Sequence, residues 1–269
     1  MKTFYSLFFL LIAVSGQGAG ERVPAGGRQL AMGGTSVAET DLWSLGNNQA
    51  GAAWLRGGSA GLAFQDHFLL KELMYEQLGL AYPLKAGTFG IFCSRFGNNQ
   101  YNELKAGFSF ARKFGKTFSA GVQVDYLRIG ITGGYGNKNL FSCEIGLQYH
   151  ADRNLILGIH LLNPVPVKIS RSPGELLPVT ICAGLSYRFS GAVVVSAEAE
   201  KDLVHKILFR AGTEYHFAKP AWVRIGISTD PVSVSFGFGI EYGKLAIDMA
   251  SAYHQALGFS PCGSLTYSF

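Results

Sequence analysis

From residue 57 to the C-terminus, bulky apolar residues alternate with small or polar ones. In VSVSFGFGIEY, Val232 to Tyr242, the even positions are apolar or aromatic and the odd ones are Ser, Ser, Gly, Gly and Glu. Successive strand side chains point to opposite faces, so such a segment has one greasy face and one small or polar face. The same split separates Phe118, Ala120, Val122, Val124 and Tyr126 from Ser119, Gly121, Gln123 and Asp125, and recurs over 141–149. Marking each run predicts about fourteen strands, near 57–67, 73–83, 87–96, 101–112, 117–128, 140–149, 154–163, 178–188, 192–201, 207–216, 221–229, 232–242, 245–253 and 263–269. About ten residues is the length of a tilted strand that crosses a bilayer.

The links between these runs alternate in kind. PLKAG, KFGK, HADRN, FSG, FAKP and GK are tight, whereas GITGGYGNKN, NPVPVKISRSPGELLP and HQALGFSPC are longer. Short turns on one side and longer loops on the other mark an outer-membrane barrel, with the turns periplasmic. A glycine followed three residues later by an aromatic recurs at the turn end of the even strands: Gly79 and Tyr82, Gly107 and Phe110, Gly146 and Tyr149, Gly184 and Tyr187, Gly212 and Tyr215, Gly239 and Tyr242. Ser264 and Tyr267 repeat it with serine. Three is an odd step, so the glycine faces inward and the aromatic outward. Tyr82, Phe110, Tyr149, Tyr187, Tyr215, Tyr242 and Tyr267 are therefore expected to form a periplasmic aromatic girdle, and the glycines an inner shelf. A soluble sandwich would carry the same alternation with its greasy face turned inward, but its opposite face would hold more Lys and Glu than this chain offers.

Composition adds the address. The chain has 269 residues, of which 48% are hydrophobic and 15% charged, with 35 glycines. Lys2, the apolar run Phe4 to Val14 and the small residues after it read as a secretory signal over residues 1–20, too short to span a bilayer. A formal charge of +5, spread along the chain, gives no nucleic-acid footprint. Cys93, Cys143, Cys182 and Cys262 show no metal-ligand spacing and are expected to be free thiols. Tyr267 and Phe269, in phase on the outward side, have the form of the signal read by the barrel assembly machinery.

Residues 21–56 do not alternate. Paired glycines and an Asn-Asn step suggest a compact turn followed by a short helical piece around Gly46 to Leu55, either an N-terminal linker or a plug lying inside the bore on the inward glycines. AMGGTSVAETDLWSLGNNQAG, Ala31 to Gly51, resembles the N-terminal element of FadL-like long-chain fatty-acid transporter barrels, and more closely that of the PorV/PorQ family associated with type IX secretion. Met32, Gly33, Gly34, Ser36, Ala38, Asp41, Asn48, Ala50 and Gly51 carry the resemblance, with Gln49 where proline is common in the family; Asn47 joins Met32, Gly33, Gly34, Asp41, Asn48 and Gly51 in the expected plug motif. It implies an all-β, transmembrane antiparallel barrel of about fourteen strands over 57–269, closed as a monomer and embedded in outer-membrane lipid. It further implies a role in type IX secretion or surface contact, with secretion substrates or components as partners. The alternative is a FadL-like channel for small hydrophobic molecules.

No catalytic, cofactor or metal motif is present, and His67, His150, His160, His205, His216 and His254 lie singly. One polar constellation stands out. Glu198, Glu200, Arg210, Glu214 and Arg224 share lumen-facing parity on three consecutive strands, forming a charge ladder that either lines a polar path or braces the plug. An apolar chamber above the plug would favour transport. A filled bore with an exposed loop patch from Leu69, Leu70, Val165, Val167, Leu257 and Phe259 would favour a protein-facing role.

Overall fold

The computed structural model describes residues 22–133, 136–165, 167–168, 176–203 and 205–269. The signal-peptide expectation for residues 1–20 lies outside them, as does part of the proline-rich link.

Fourteen antiparallel strands close into one barrel in sequence order: β1 Ser59–Asp66, β2 Met74–Leu84, β3 Gly87–Gly97, β4 Tyr101–Phe114, β5 Phe118–Ile131, β6 Gly136–His150, β7 Leu155–Leu162, β8 Thr180–Arg188, β9 Val193–Asp202, β10 Leu208–Ala218, β11 Ala221–Ser228, β12 Ser233–Tyr242, β13 Leu245–His254 and β14 Gly258–Ser268. The seam runs from Ser59 opposite Ser268 to Gln65 opposite Cys262. Phe269 N then donates to Gly58 O at 2.8 Å. Closure leaves no unpaired sheet edge, which is what a lipid environment demands of backbone N–H and C=O groups.

The period-two pattern fixes which face meets which medium. In β12 Phe236 is 51% exposed on the outer face and its neighbour Ser235 is 2% exposed on the inner face. Val122, Phe141, Ile225 and Leu265 repeat the outward placement on other strands. A continuous apolar exterior of this kind fits acyl chains and would be costly in water, so the strands span a membrane.

The sequence pattern misjudges three strand ends. β5 runs on to Ile131 and β6 begins at Gly136, which absorbs most of GITGGYGNKN. β14 begins at Gly258, so HQALGFSPC is mostly strand and Phe259, expected in a loop, sits on the outer wall against Tyr253, ring centroids 4.9 Å apart. Pro261 has no N–H to give to a strand ladder. It pairs with Ser251, just beyond the last β1–β14 partners, where the neighbouring ladder has ended.

The N-terminal segment lies inside the barrel. It contains α1 Gly27–Ala31, α2 Ser44–Asn47 and a 3-10 helix over Gln49–Trp54. Ala25, Leu42, Trp43, Leu45, Ala52 and Ala53 form a buried core with Ala63, Ala81, Phe92 and Ala111 of the wall. Thus the bore is packed like a small domain in its middle rather than left as a pore.

Candidate functional site

The plug rests on small residues of the wall. Gly79 faces Leu42, Gly146 faces Asn48, Gly184 faces Val37 and Gly212 faces Met32. Gly107 and Gly239, expected on the same shelf, face wall side chains instead: Gln123 and Asp125 for the first, Trp222 and Asp248 for the second. Glycines on odd strands complete the shelf, and several are direct cross-strand partners of the first set: Gly61 with Gly79, Gly121 with Gly146, Gly158 with Gly184, Gly226 with Gly212. A Cβ on Gly226 would collide with Gly33 N, and one on Gly158 with the Val37 carbonyl. Backbone therefore meets backbone with no room for a methyl group.

The motif residues build the plug's internal frame. Gly33 and Gly34 hold φ of 73° and 86°, the left-handed region that glycine adopts freely, and Gly33 N donates to Ser235 Oγ at 2.9 Å. Met32 is fully buried against the wall. Asp41 accepts from Gln29 Nε2 at 2.7 Å and Trp43 N at 3.0 Å. Asn47 clamps Ala25 through both its N–H and C=O, at 2.9 and 3.1 Å. Asn48 Nδ2 donates to Val37 O at 2.6 Å and Leu147 O at 3.2 Å, joining plug to wall. Gly51 packs against the Glu39 carbonyl and the Ser44 side chain, where a Cβ would not fit.

The charge ladder bonds the plug to the wall. Arg210 bonds Glu198 at 3.2 Å and Glu200 at 2.6 Å, and Arg224 bonds Glu214 at 2.7 Å and Asp248 at 2.6 Å. Into these wall pairs drop two plug residues that the strand pattern alone does not place. Arg22 bonds Glu198 and Glu200, each at 2.7 Å, and Arg28 bonds Glu214 at 2.8 Å and also pairs with Glu39. Glu198 Oε2 additionally accepts the backbone N–H of Ser36 at 2.7 Å and of Val37 at 2.9 Å. Burial raises the Glu39 carboxyl pKa above its ordinary value, with the adjacent Arg28 opposing the shift. Cys182 lies beside Glu198 and Glu200 at metal-ligand spacing, but the two guanidiniums already occupy the carboxylate lone pairs that a cation would need. All four cysteines are free thiols.

Above the plug, toward the ends of the odd-numbered links, lies a chamber of about 970 Å³. Gly46, Val23 and Phe92 lie at its floor, Tyr75, Phe96, Leu127, Ile129 and Leu162 along its wall, and Phe68, Val232 and Leu257 near its mouth. Phe68 and Leu69 hold φ of 60° and 59°, unusual for bulky residues. Phe68 N donates to Ser260 Oγ at 3.0 Å, and its ring meets His254 edge-on at 6.0 Å, so a strained aromatic covers part of the opening. Beside it, burial lowers the His67 pKa. Leu69, Leu70, Val165 and Leu257 are exposed, as the loop-patch expectation has them, but Val167 packs on the Ile129, Leu140 and Leu177 cluster.

One polar cluster in the chamber floor escaped the sequence reading. Glu144 of β6 pairs with Lys105 of β4, bonds His160 Nε2 of β7 at 2.9 Å and accepts from Gln49 Nε2 of the plug at 2.5 Å. Asp125 of β5 lies 3.7 Å from Lys105. Gln49, at the position where the resembled families commonly have proline, is thus the plug's contact with this cluster.

At the turn end a second recess of about 760 Å³ is lined by Thr40, Trp54, Leu55, Arg56, Lys113 and His150. Trp54 stacks on His150 at 3.7 Å, with Lys113 5.1 Å above its ring. Tyr82, Tyr149, Tyr215, Tyr242 and Tyr267 are exposed on the outer face at this end, while Phe110 and Tyr187 are half-buried there, Phe110 against Phe89 at 4.9 Å. Phe269 lies between Tyr82 and Tyr267 at the seam, 6.4 and 6.3 Å from their rings. The remaining histidines serve local contacts: His216 bonds Glu214, His205 bonds Asp202, and His254 accepts from Ala256 and Leu257 N–H groups.

No protein-family model and no curated relative matches the chain. Solved structures share its fold. The monoaromatic hydrocarbon channel CymD superposes with a TM-score of 0.75 at 14% identity, covering 93% of this chain and 99% of that one. The toluene transporter TodX of P. putida gives 0.72 at 14% identity over 93% and 99%. A Pseudomonas aeruginosa FadL homologue gives 0.69 at 13% identity over 93% and 100%. The chain therefore shares the fold of these barrels.

Proposed function

We propose that this chain is an outer-membrane channel through which small hydrophobic molecules pass without energy input, with no enzymatic step. The observation that carries the reading is the chamber: about 970 Å³, walled largely by aromatic and aliphatic side chains, bounded below by a plug and partly above by Phe68. That volume matches a small ligand and its surroundings exclude water from an apolar guest. The charge ladder, which would oppose a greasy passage, is spent in holding the plug, and of the charges that line the chamber itself Lys105 is paired with Glu144 and Asp125. The names of the fold's neighbours, channels for monoaromatic hydrocarbons and toluene, point the same way. Export fits the sequence features of residues 1–20 and Phe269, and the closed sheet suits a monomeric barrel in lipid.

The PorV/PorQ role in type IX secretion is the second reading. It is favoured by the exposed Leu69, Leu70 and Val165 on the loops, a surface for an exported partner, but it gives the chamber no task.

The channel reading predicts that bacteria producing the protein in their outer membrane take up a labelled monoaromatic hydrocarbon several-fold faster than vector controls. Leu127→Trp, which places an indole in the chamber, should return uptake to the control rate. Equal rates with and without correctly folded protein would overturn the reading.

A further inference from the structure

The chamber's floor is unevenly hydrogen-bonded. The carboxylate of Glu144 is fully engaged, one oxygen by Lys105 and the other by Gln49 and His160. His160 meets Glu144 through Nε2, and the tautomer that donates there leaves Nδ1 as an acceptor, which has no partner. Asp125 is half used: Oδ1 accepts from Gln123 Nε2 at 2.9 Å, whereas Oδ2 has no partner. Asp125 and His160 are each 1% exposed, and both line the chamber. Buried polar atoms are rarely left unsatisfied without a functional reason.

We infer that the chamber takes hydrophobic molecules bearing a hydroxyl group, alcohols or phenols, with the hydroxyl seated among Lys105, Asp125 and His160. This rests on the channel reading above. A hydroxyl both donates and accepts, so it can give its proton to Asp125 Oδ2 or His160 Nδ1 while accepting from Lys105, whose ammonium is the least buried group of the cluster. A hydrocarbon leaves both acceptors unmet. A carboxylate fares worse, because it has no proton to give to either acceptor, brings negative charge beside Asp125 and Glu144, and finds Lys105 already paired. Arg22 Nε, an unpartnered donor that also lines the chamber, offers an anion little, since its guanidinium is bonded to Glu198 and Glu200.

The test is equilibrium binding of para-butylphenol, butylbenzene and para-butylbenzoate to the full chain in nanodiscs, corrected for partition into protein-free nanodiscs. Para-butylphenol is expected to bind about tenfold more tightly than butylbenzene, the scale of one hydrogen bond to a charged group. Para-butylbenzoate should bind most weakly. Asp125→Leu should reduce the phenol to the level of butylbenzene and leave butylbenzene itself bound; if that variant fails to fold, His160→Phe should act in the same direction. A phenol no tighter than butylbenzene, as when ordered water alone satisfies the two acceptors, overturns the inference and leaves the channel reading standing. So does benzoate as the tightest ligand, or a phenol preference that survives in both folded variants. Binding of none of the three overturns both readings.

Discussion

Alanine in place of Glu198 is expected to destabilise the protein by about 3–5 kcal/mol and to unseat the plug, the cost typical of removing one partner from a buried ion pair. Four contacts meet on this carboxylate: Arg22 at 2.7 Å, Arg210 at 3.2 Å, and the backbone N–H groups of Ser36 and Val37. Its loss leaves two guanidiniums to share Glu200, one buried positive charge too many, and orphans two backbone donors of the plug. Because β9 and β10 remain joined by their backbone ladder and by Arg210 with Glu200, the barrel itself should persist. The readout is paired: lower thermal stability, and in planar bilayers a conductance well above that of the wild type. Glu198→Gln, which keeps an acceptor for Ser36 and Val37, should fall between. Wild-type conductance and stability in the alanine variant would mean that the ladder does not moor the plug.

A larger mechanical effect is expected from Gly226→Val. The new Cβ would enter the space of Gly33 N and the Met32 carbonyl carbon, which are backbone atoms that cannot rotate away. β11 is held on both sides by β10 and β12, so the wall cannot recede either. The plug must therefore lift from β10 and β11, losing the Gly33 to Ser235 bond as it goes. Overpacking usually costs about 1–3 kcal/mol, but here the strain falls on a removable element. The expected phenotype is a leaky barrel of nearly normal thermal stability. Gly263→Ala is the control, because a Cβ there meets nothing within 4 Å. A closed Gly226→Val barrel would contradict the close packing of plug on wall.

These two variants also mark what could be read without coordinates. Strand number and facing follow from a period of two, because burial on one side and lipid on the other act on every residue. The parity of Glu198, Arg210 and Arg224 is equally visible, since consecutive strands of a barrel pair in order. Arg22 and Arg28 are different. They belong to a segment with no period, and only its seat inside the bore brings them to Glu198 and Glu214. The cluster around Glu144 was hidden for a related reason. Its members come from β4, β5, β6, β7 and the plug, so the register of three intervening pairs had to be known first. Of the glycines on odd strands, Gly121, Gly158 and Gly226 lack the trailing aromatic that marks the even ones.

Everything rests on which face of the wall meets lipid. The chain's three tryptophans offer a direct probe, for Trp43 and Trp222 are buried inside the barrel and Trp54 bonds Ser119 on the inner face. In vesicles of phospholipids brominated at successive acyl depths, emission from the native protein should be quenched little, whereas an added Phe236→Trp indole, outward on β12, should be quenched strongly. Strong quenching of the native tryptophans together with an unquenched indole at position 236 would reverse the faces and contradict the account.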